Sequence, residues 1–391
     1  MSQSSLSRTK IVVFSLVPLL VLLCVLEVTG RIVYPFDPDG RARIQTKRDP
    51  RIKLSYLGSP PVSAFSIIED TYRVDHRYLP FLGWIGVPNT NLPTLKTNEL
   101  GFRDRPVEPR KPNELRILLL GGSTVWGLGA SSTEATVAGV LERLLNDGTA
   151  KSSHRVMSGA FTGWSSRQER VALLELFVIF MPDLVIALTG YNDLVTMVAG
   201  GAGEFLQRPE SVELGKAVEA NLRPMSTFRA IKKVGGTLGI WRLVVYLRER
   251  ATVWAPSGRL AAYERAVAER EMARIADLYT GLAEFLDRRG SRLMVVLQPE
   301  LYTTGKPLTV EEMEVRQRYF SRIKDIAPVF RRYRADLLRA LLDSRMRGFS
   351  VTDLQTVFDG HTRPVFIDDC HFNDEGYRII AEGLKAGIEV R

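Results

Sequence analysis

Cysteine is nearly absent: the 391 residues hold two, Cys24 and Cys370, which excludes a disulfide framework. Histidine is scarce as well, with four in the chain, so any imidazole chemistry has few places to occur. There is no internal repeat and no low-complexity tract, which argues against a solenoid or an array of small modules. Acidic charge is in deficit, 44 Asp and Glu against 53 Lys and Arg, for a net charge of +9. The basic residues are scattered and no nucleic-acid module accompanies them. A solvated surface, with no nucleic-acid partner, is therefore expected. What remains is a chain 45% hydrophobic and 25% charged. That is a globular composition, long enough for one large domain with additions.

One long apolar run stands out. Ile11 to Val28 is an apolar run with Ser15 and Glu27 as its polar members, and it follows Arg8 and Lys10. A run of about 18 to 20 apolar residues suffices to span a bilayer, whereas a signal-peptide core is usually about 7 to 15. Residues 1–30 are accordingly read as an uncleaved membrane anchor, with cleavage after Gly30 as the competing reading. Leu23 is too large for a lipobox before Cys24. Arg31, Arg41, Arg43, Lys47 and Arg48 outnumber the basic residues on the other flank, so charge does not orient the helix. Large domains translocate regardless of such charges, which places the rest of the chain outside the inner membrane.

Four separated segments carry chemistry. Arg116 to Gly127 is a buried-strand pattern ending in Gly121-Gly122-Ser123-Thr124, and a helical pattern opens some ten residues later. A serine at the carboxyl end of such a strand stands where open α/β sheets hold their sites. His154 to Gln168 runs from a short strand into a loop with Gly159 and Gly163, where a backbone N–H can approach a ligand closely. Leu184 to Asp193 is another buried strand ending in Gly190-Tyr191-Asn192, and Asn supplies a neutral donor suited to an oxyanion. In Asp368-x-x-His371 the spacing sets a carboxylate against an imidazole, the arrangement a general base needs to activate a serine. Each segment alone is ordinary loop chemistry.

Together, in this order, the four resemble the blocks of the SGNH (GDSL-type) hydrolase superfamily: Ser123, Gly163, Gly190-Tyr191-Asn192-Asp193, and Asp368 with His371. The resemblance covers about residues 115–200 and 290–391. The first block reads Gly-Gly-Ser where the family usually has Gly-Asp-Ser, and Gly159 competes with Gly163 for the second. The resemblance implies catalysis by Ser123, His371 and Asp368. Its oxyanion hole would be the N–H groups of Ser123 and Gly163 and the side-chain amide of Asn192. No cofactor and no metal are expected, and Cys370 is read as a packed neighbour.

The expected fold is α/β, a parallel sheet with helices on both faces in a flavodoxin-like three-layer arrangement, preceded by the transmembrane anchor. Residues 31–114 form an extension packed on the core, and 115–391 form the hydrolase domain with a helical insertion at about 195–285. In the extension, Trp84, Phe102 and Arg103 either line the cleft or clamp the extension to the core. In the insertion, helical stretches are expected at 214–222 and 262–287. Trp241, Val244, Val245 and Leu247 there could form a lid, a partner surface or a membrane-facing patch. A long helical stretch is expected over 311–346.

The resemblance implies an esterase that removes O-acyl groups, chiefly acetyl, from a carbohydrate or exopolysaccharide. Three rivals stand beside it. One is an O-acetyltransferase served by a membrane acyltransferase or polysaccharide assembly complex, one a lysophospholipase or thioesterase, and one a non-catalytic glycan-binding subunit.

Overall fold

The computed structural model describes residues 8–33, 51, 64–148, 152–194, 238–240, 243, 244, 247, 265–320, 326–345 and 348–389. The chain divides into two units, 1–45 with 218–256, and 46–217 with 257–391. The expected helix at 214–222 lies outside the described residues, as do Trp241 and Val245.

In the first unit, α1 (Arg8–Val33) is a 26-residue helix with Pro18 inside it. Its stretch Leu16–Val33 is long and apolar enough to cross a membrane. The side chains from Phe14 to Ile32 are mostly exposed, so this unit gives the helix no buried apolar face.

The second unit begins, among described elements, with α2 (Ala64–Arg73) and the antiparallel pair β1 (His76–Leu79) and β2 (Gly83–Gly86). Next come β3 (Glu114–Gly121), the single turn α3 (Ser123–Trp126), α4 (Val137–Leu145), β4 (Ser153–Ala160), α5 (Ser166–Phe180) and β5 (Leu184–Thr189). After the insertion follow α6 (Arg265–Asp287), β6 (Arg292–Leu297), α7 (Val310–Phe320), α8 (Ile326–Ser344), β7 (Phe349–Asp353) and α9 (Asp374–Glu389). The helical stretch expected over 311–346 is helical in α7 and α8, and residues 321–325 lie outside the described residues.

Five strands make one parallel sheet in the order β4-β3-β5-β6-β7. Buried on both faces, β3 reads as a continuous apolar run, and its side chains alternate between two cores. Leu118 and Leu120 pack with Leu173, Tyr279, Leu282 and Leu337 of α5, α6 and α8. Ile117 and Leu119 pack with Val137 and Leu141 of α4 and Ile380 and Leu384 of α9. The registers pair Gly121 with Ala160 and Leu188, Thr189 with Leu297, and Leu297 with Asp353. All five carboxyl ends therefore lie in one row. The strand order reverses between β3 and β5, and the loops leaving these two strands open a crevice there.

The extension is held by buried polar groups. Arg103 is 3% exposed and donates to the carbonyls of Gly127 at 2.5 Å, Thr94 at 2.7 Å and Ala130 at 3.0 Å. Phe102 is also buried and meets Trp164 edge to face. Both residues clamp the extension rather than line a cleft. Trp84, by contrast, is half exposed.

Candidate active site

Ser123 opens α3 directly beyond β3, and its Oγ lies 2.6 Å from His371 Nε2. The other ring nitrogen, Nδ1, is 2.7 Å from both oxygens of Asp368. That pairing leaves Nε2 as the acceptor that faces the serine. The backbone N–H groups of Cys370 and His371 also donate to Asp368 Oδ1, at 3.1 and 2.9 Å, so the loop closes on its own carboxylate. Burial works against the Asp368 charge, but the His371 ring, the Arg51 guanidinium and the Cys370 N–H outweigh it. They hold this carboxyl below the usual carboxylate range. Asp368 is therefore ionised wherever the imidazole works.

The residues expected to hold an oxyanion stand on the loops after β4 and β5. Gly163 sits in the turn after β4 at φ +79°, a left-handed conformation that favours glycine, and its N–H has no backbone acceptor among the described residues. Gly159 lies inside β4 against Leu118, Leu120 and Leu176, away from the loop. Asn192 Nδ2 donates to the Trp164 carbonyl at 2.7 Å, which orients the amide. A Cβ on Gly122 would overlap Asn192 Nδ2 and stand 3.0 Å from the Trp164 carbonyl. Glycine at 122 leaves room for the Asn192 amide.

Three supports of the site were not legible beforehand. Asp193 is buried and bidentate to Ser166, accepting from its N–H at 3.1 Å and its Oγ at 2.7 Å. With the Asn192–Trp164 bond, this ties the loop after β5 to the loop after β4. Lys306 and Glu312 form a fully buried ion pair at 2.6 Å. Glu312 Oε1 also accepts the N–H groups of Val365 and Phe366, at 2.8 and 3.1 Å, which secures the approach to Asp368. Arg51 Nη1 reaches Asp368 Oδ2 at 3.4 Å from 317 residues away. No local spacing announces any of these.

Cys370 Sγ lies 3.6 Å from His371 Nδ1, yet burial and the carboxylates of Asp369 and Asp368 push the thiol well above its ordinary range. The thiol is buried beside the imidazole and held in its neutral form. Among the described residues, Asp368, Cys370 and His371 bring ligand atoms within 4.8 Å of one another. A metal there would compete with the Asp368–His371 bond. His76 packs edge to face on Phe161, and His154 belongs to β4.

Beneath the oxyanion loops lies a titratable group. Glu169 on α5 is fully buried and accepts from Tyr279 Oη at 2.6 Å. Burial, then the Asp193 charge, pushes its carboxyl up to about 8. Because the folded value exceeds the unfolded one, its protonated form stabilises the fold fully below the unfolded pKa. That contribution fades as pH rises from about 4.5 towards about 8. Glu169→Gln is expected to flatten the decline in melting temperature across that window. An unchanged slope would show that Glu169 titrates normally.

No protein-family model and no curated protein sequence matches the chain. Solved structures do align. An acetyl xylan esterase, AlAXEase, aligns at 9% identity and TM-score 0.39, over 70% of this chain and 100% of its own. A GDSL-like lipase from Bacteroides thetaiotaomicron aligns at 12% and 0.35, over 70% and 87%. The lipase Lip_vut3 from a goat rumen metagenome aligns at 16% and 0.39, over 70% and 96%. At these scores the chain's own topology and site geometry carry the reading. A five-stranded parallel sheet flanked by helices, with Ser123 and the Asp368–His371 pair along its carboxyl edge, is an α/β fold.

Proposed function

We propose that this chain is a membrane-anchored serine esterase that removes O-acyl groups, chiefly acetyl, from a carbohydrate or exopolysaccharide through an acyl-enzyme on Ser123. The observation that carries the reading is the continuous line from Asp368 through both His371 nitrogens to Ser123 Oγ, with every contact at 2.7 Å or less. Ser123 Oγ attacks the ester carbonyl while its proton passes to His371 Nε2. The N–H groups of Ser123 and Gly163 and the Asn192 amide take the oxyanion. When the ester C–O bond breaks, His371 returns the proton to the departing sugar oxygen. Water then repeats the sequence, releasing acetate and restoring Ser123.

The sugar assignment draws on Trp84. Its ring is half exposed, and its carbonyl receives the Trp164 indole at 3.0 Å, beside the oxyanion loop. An exposed indole at such a rim offers a flat face to a sugar ring. The apolar α1 supports anchorage in the inner membrane with the catalytic unit in the periplasm or outside the cell.

A series of p-nitrophenyl esters from acetate to octanoate tests this reading. Ser123-dependent turnover should fall with chain length. A rise would favour a lipid or thioester substrate. Release of acetate from an acetylated oligosaccharide should exceed transfer to an added sugar acceptor, and excess transfer would assign an O-acetyltransferase instead.

A further inference from the structure

Asp369 lies between the triad carboxylate and Cys370, and it is not on the proton path from Ser123 to Asp368. Its side chain is half-buried, and one oxygen, Oδ2, accepts from two phenols: Tyr191 Oη, and Tyr302 Oη at 2.8 Å. Its backbone carbonyl accepts the Leu301 N–H at 2.9 Å. Leu301 and Tyr302 belong to the loop after β6, and Tyr191 opens the helical turn after β5. One residue of the loop leading into α9 therefore gathers the segments that leave β5 and β6.

Packing sets both phenols. The two rings lie against Phe330 of α8, with centroids 5.6 Å away for Tyr191 and 4.7 Å for Tyr302. Burial first, then the nearby Cys370 and Asp369, push the Tyr191 phenol well above its ordinary range, so its hydroxyl keeps the proton it donates. The Tyr302 N–H donates to Glu300 Oε2 at 2.5 Å, which fixes the backbone behind the second phenol.

The neighbours of these anchors are site residues. Tyr191 immediately precedes Asn192, and Asp369 immediately follows Asp368. On the other side of Asn192, Asp193 accepts from the Ser166 N–H at 3.1 Å and its Oγ at 2.7 Å. Asn192 is thus bracketed, tied by Tyr191 to the loop of the base and by Asp193 to α5. Groups that act together on one substrate must be held within about 0.5 Å of the productive geometry. A hydrogen bond between the two loops, one residue from the amide and one from the triad carboxylate, fixes that separation.

We propose that the Tyr191–Asp369–Tyr302 bridge is a positioning element for acyl transfer, setting the Asn192 amide relative to the Asp368–His371 pair. The inference rests on the reading of Ser123, His371 and Asn192 as an esterase site. The bridge acts through Asn192 and not on the ester itself.

The test assays the full chain with p-nitrophenyl acetate, using Tyr191→Phe alone and combined with Asn192→Ala. Phenylalanine keeps the ring against Phe330 and removes only the hydroxyl, so the melting temperature should move little. Tyr191→Phe should lower kcat about tenfold and leave KM within about twofold. With Asn192 already truncated, the same substitution should cost less than about twofold more, because the residue it positions is gone. A loss of about tenfold in both backgrounds overturns the positioning of Asn192. Asp369→Asn keeps an oxygen that can accept both hydroxyls and should retain more activity than Asp369→Ala. Equal losses in these two variants would show that the carboxylate acts by its charge, and that too overturns the bridge. Ser123-dependent turnover unaltered by Tyr191→Phe removes the bridge alone. Turnover that does not depend on Ser123 removes the esterase reading, and the bridge with it.

Discussion

Ser123→Ala should lower turnover of p-nitrophenyl acetate by at least about 10³-fold while melting temperature and secondary structure stay unchanged. The hydroxyl is small, sits at 2.6 Å from His371 and is not part of either apolar core, so its removal takes chemistry and little packing. His371→Ala should fall nearly as far, and the double variant no further, because serine and base act as one unit. Asn192→Ala removes a single oxyanion donor and should cost about 10²- to 10³-fold. A serine-directed fluorophosphonate should add its mass to the Ser123 peptide in the wild type and to nothing in the alanine variant. Retained turnover in Ser123→Ala would remove the assignment, whatever the other variants do.

Glu312→Ala should be the most destabilising of the charge-removing substitutions outside the site. The carboxylate accepts from Lys306 Nζ and from the N–H groups of Thr309, Val365 and Phe366. Truncating it strands a fully buried ammonium, a loss of about 3 to 5 kcal/mol, and leaves buried backbone donors unsatisfied as well. Lys306→Met should be distinctly milder, since Glu312 keeps three N–H partners and the new side chain is apolar. Because the approach to Asp368 hangs on this carboxylate, Glu312→Ala should also lose esterase activity at temperatures where the fold survives. Thermal unfolding of the solubilised chain, read for both variants, decides the matter. Equal losses, or a loss below about 1 kcal/mol for Glu312→Ala, would show that the pair does not hold the loop.

What was legible in the sequence was what neighbouring residues enforce. The apolar runs at 117–120 and 184–188 are strands because a sheet covered on both faces has no polar side to display. Asp368 and His371 pair because three residues of loop bring them together, and their backbone N–H bonds close the same loop. Gly159 and Gly163 compete for the second block in the sequence, and in the fold Gly159 lies inside β4 while Gly163 lies in the turn beyond it. The helical stretch expected over 311–346 appears as α7 and α8, because its apolar residues recur at helical spacing against the sheet.

The sequence by itself determined the ingredients: an apolar N-terminal helix, alternating strands and helices, one serine, one amide and one Asp–His pair. Tertiary structure decided how they meet. It set the strand order that brings the loops after β3 and β5 together, and it brought Arg51 to the triad carboxylate. It also buried Lys306 against Glu312, and it turned Phe102 and Arg103 into a clamp while leaving Trp84 exposed. The physical reason is the same in each case. Local pattern records which face of an element is apolar, but a contact between residues hundreds of positions apart exists only once the sheet order has placed them side by side.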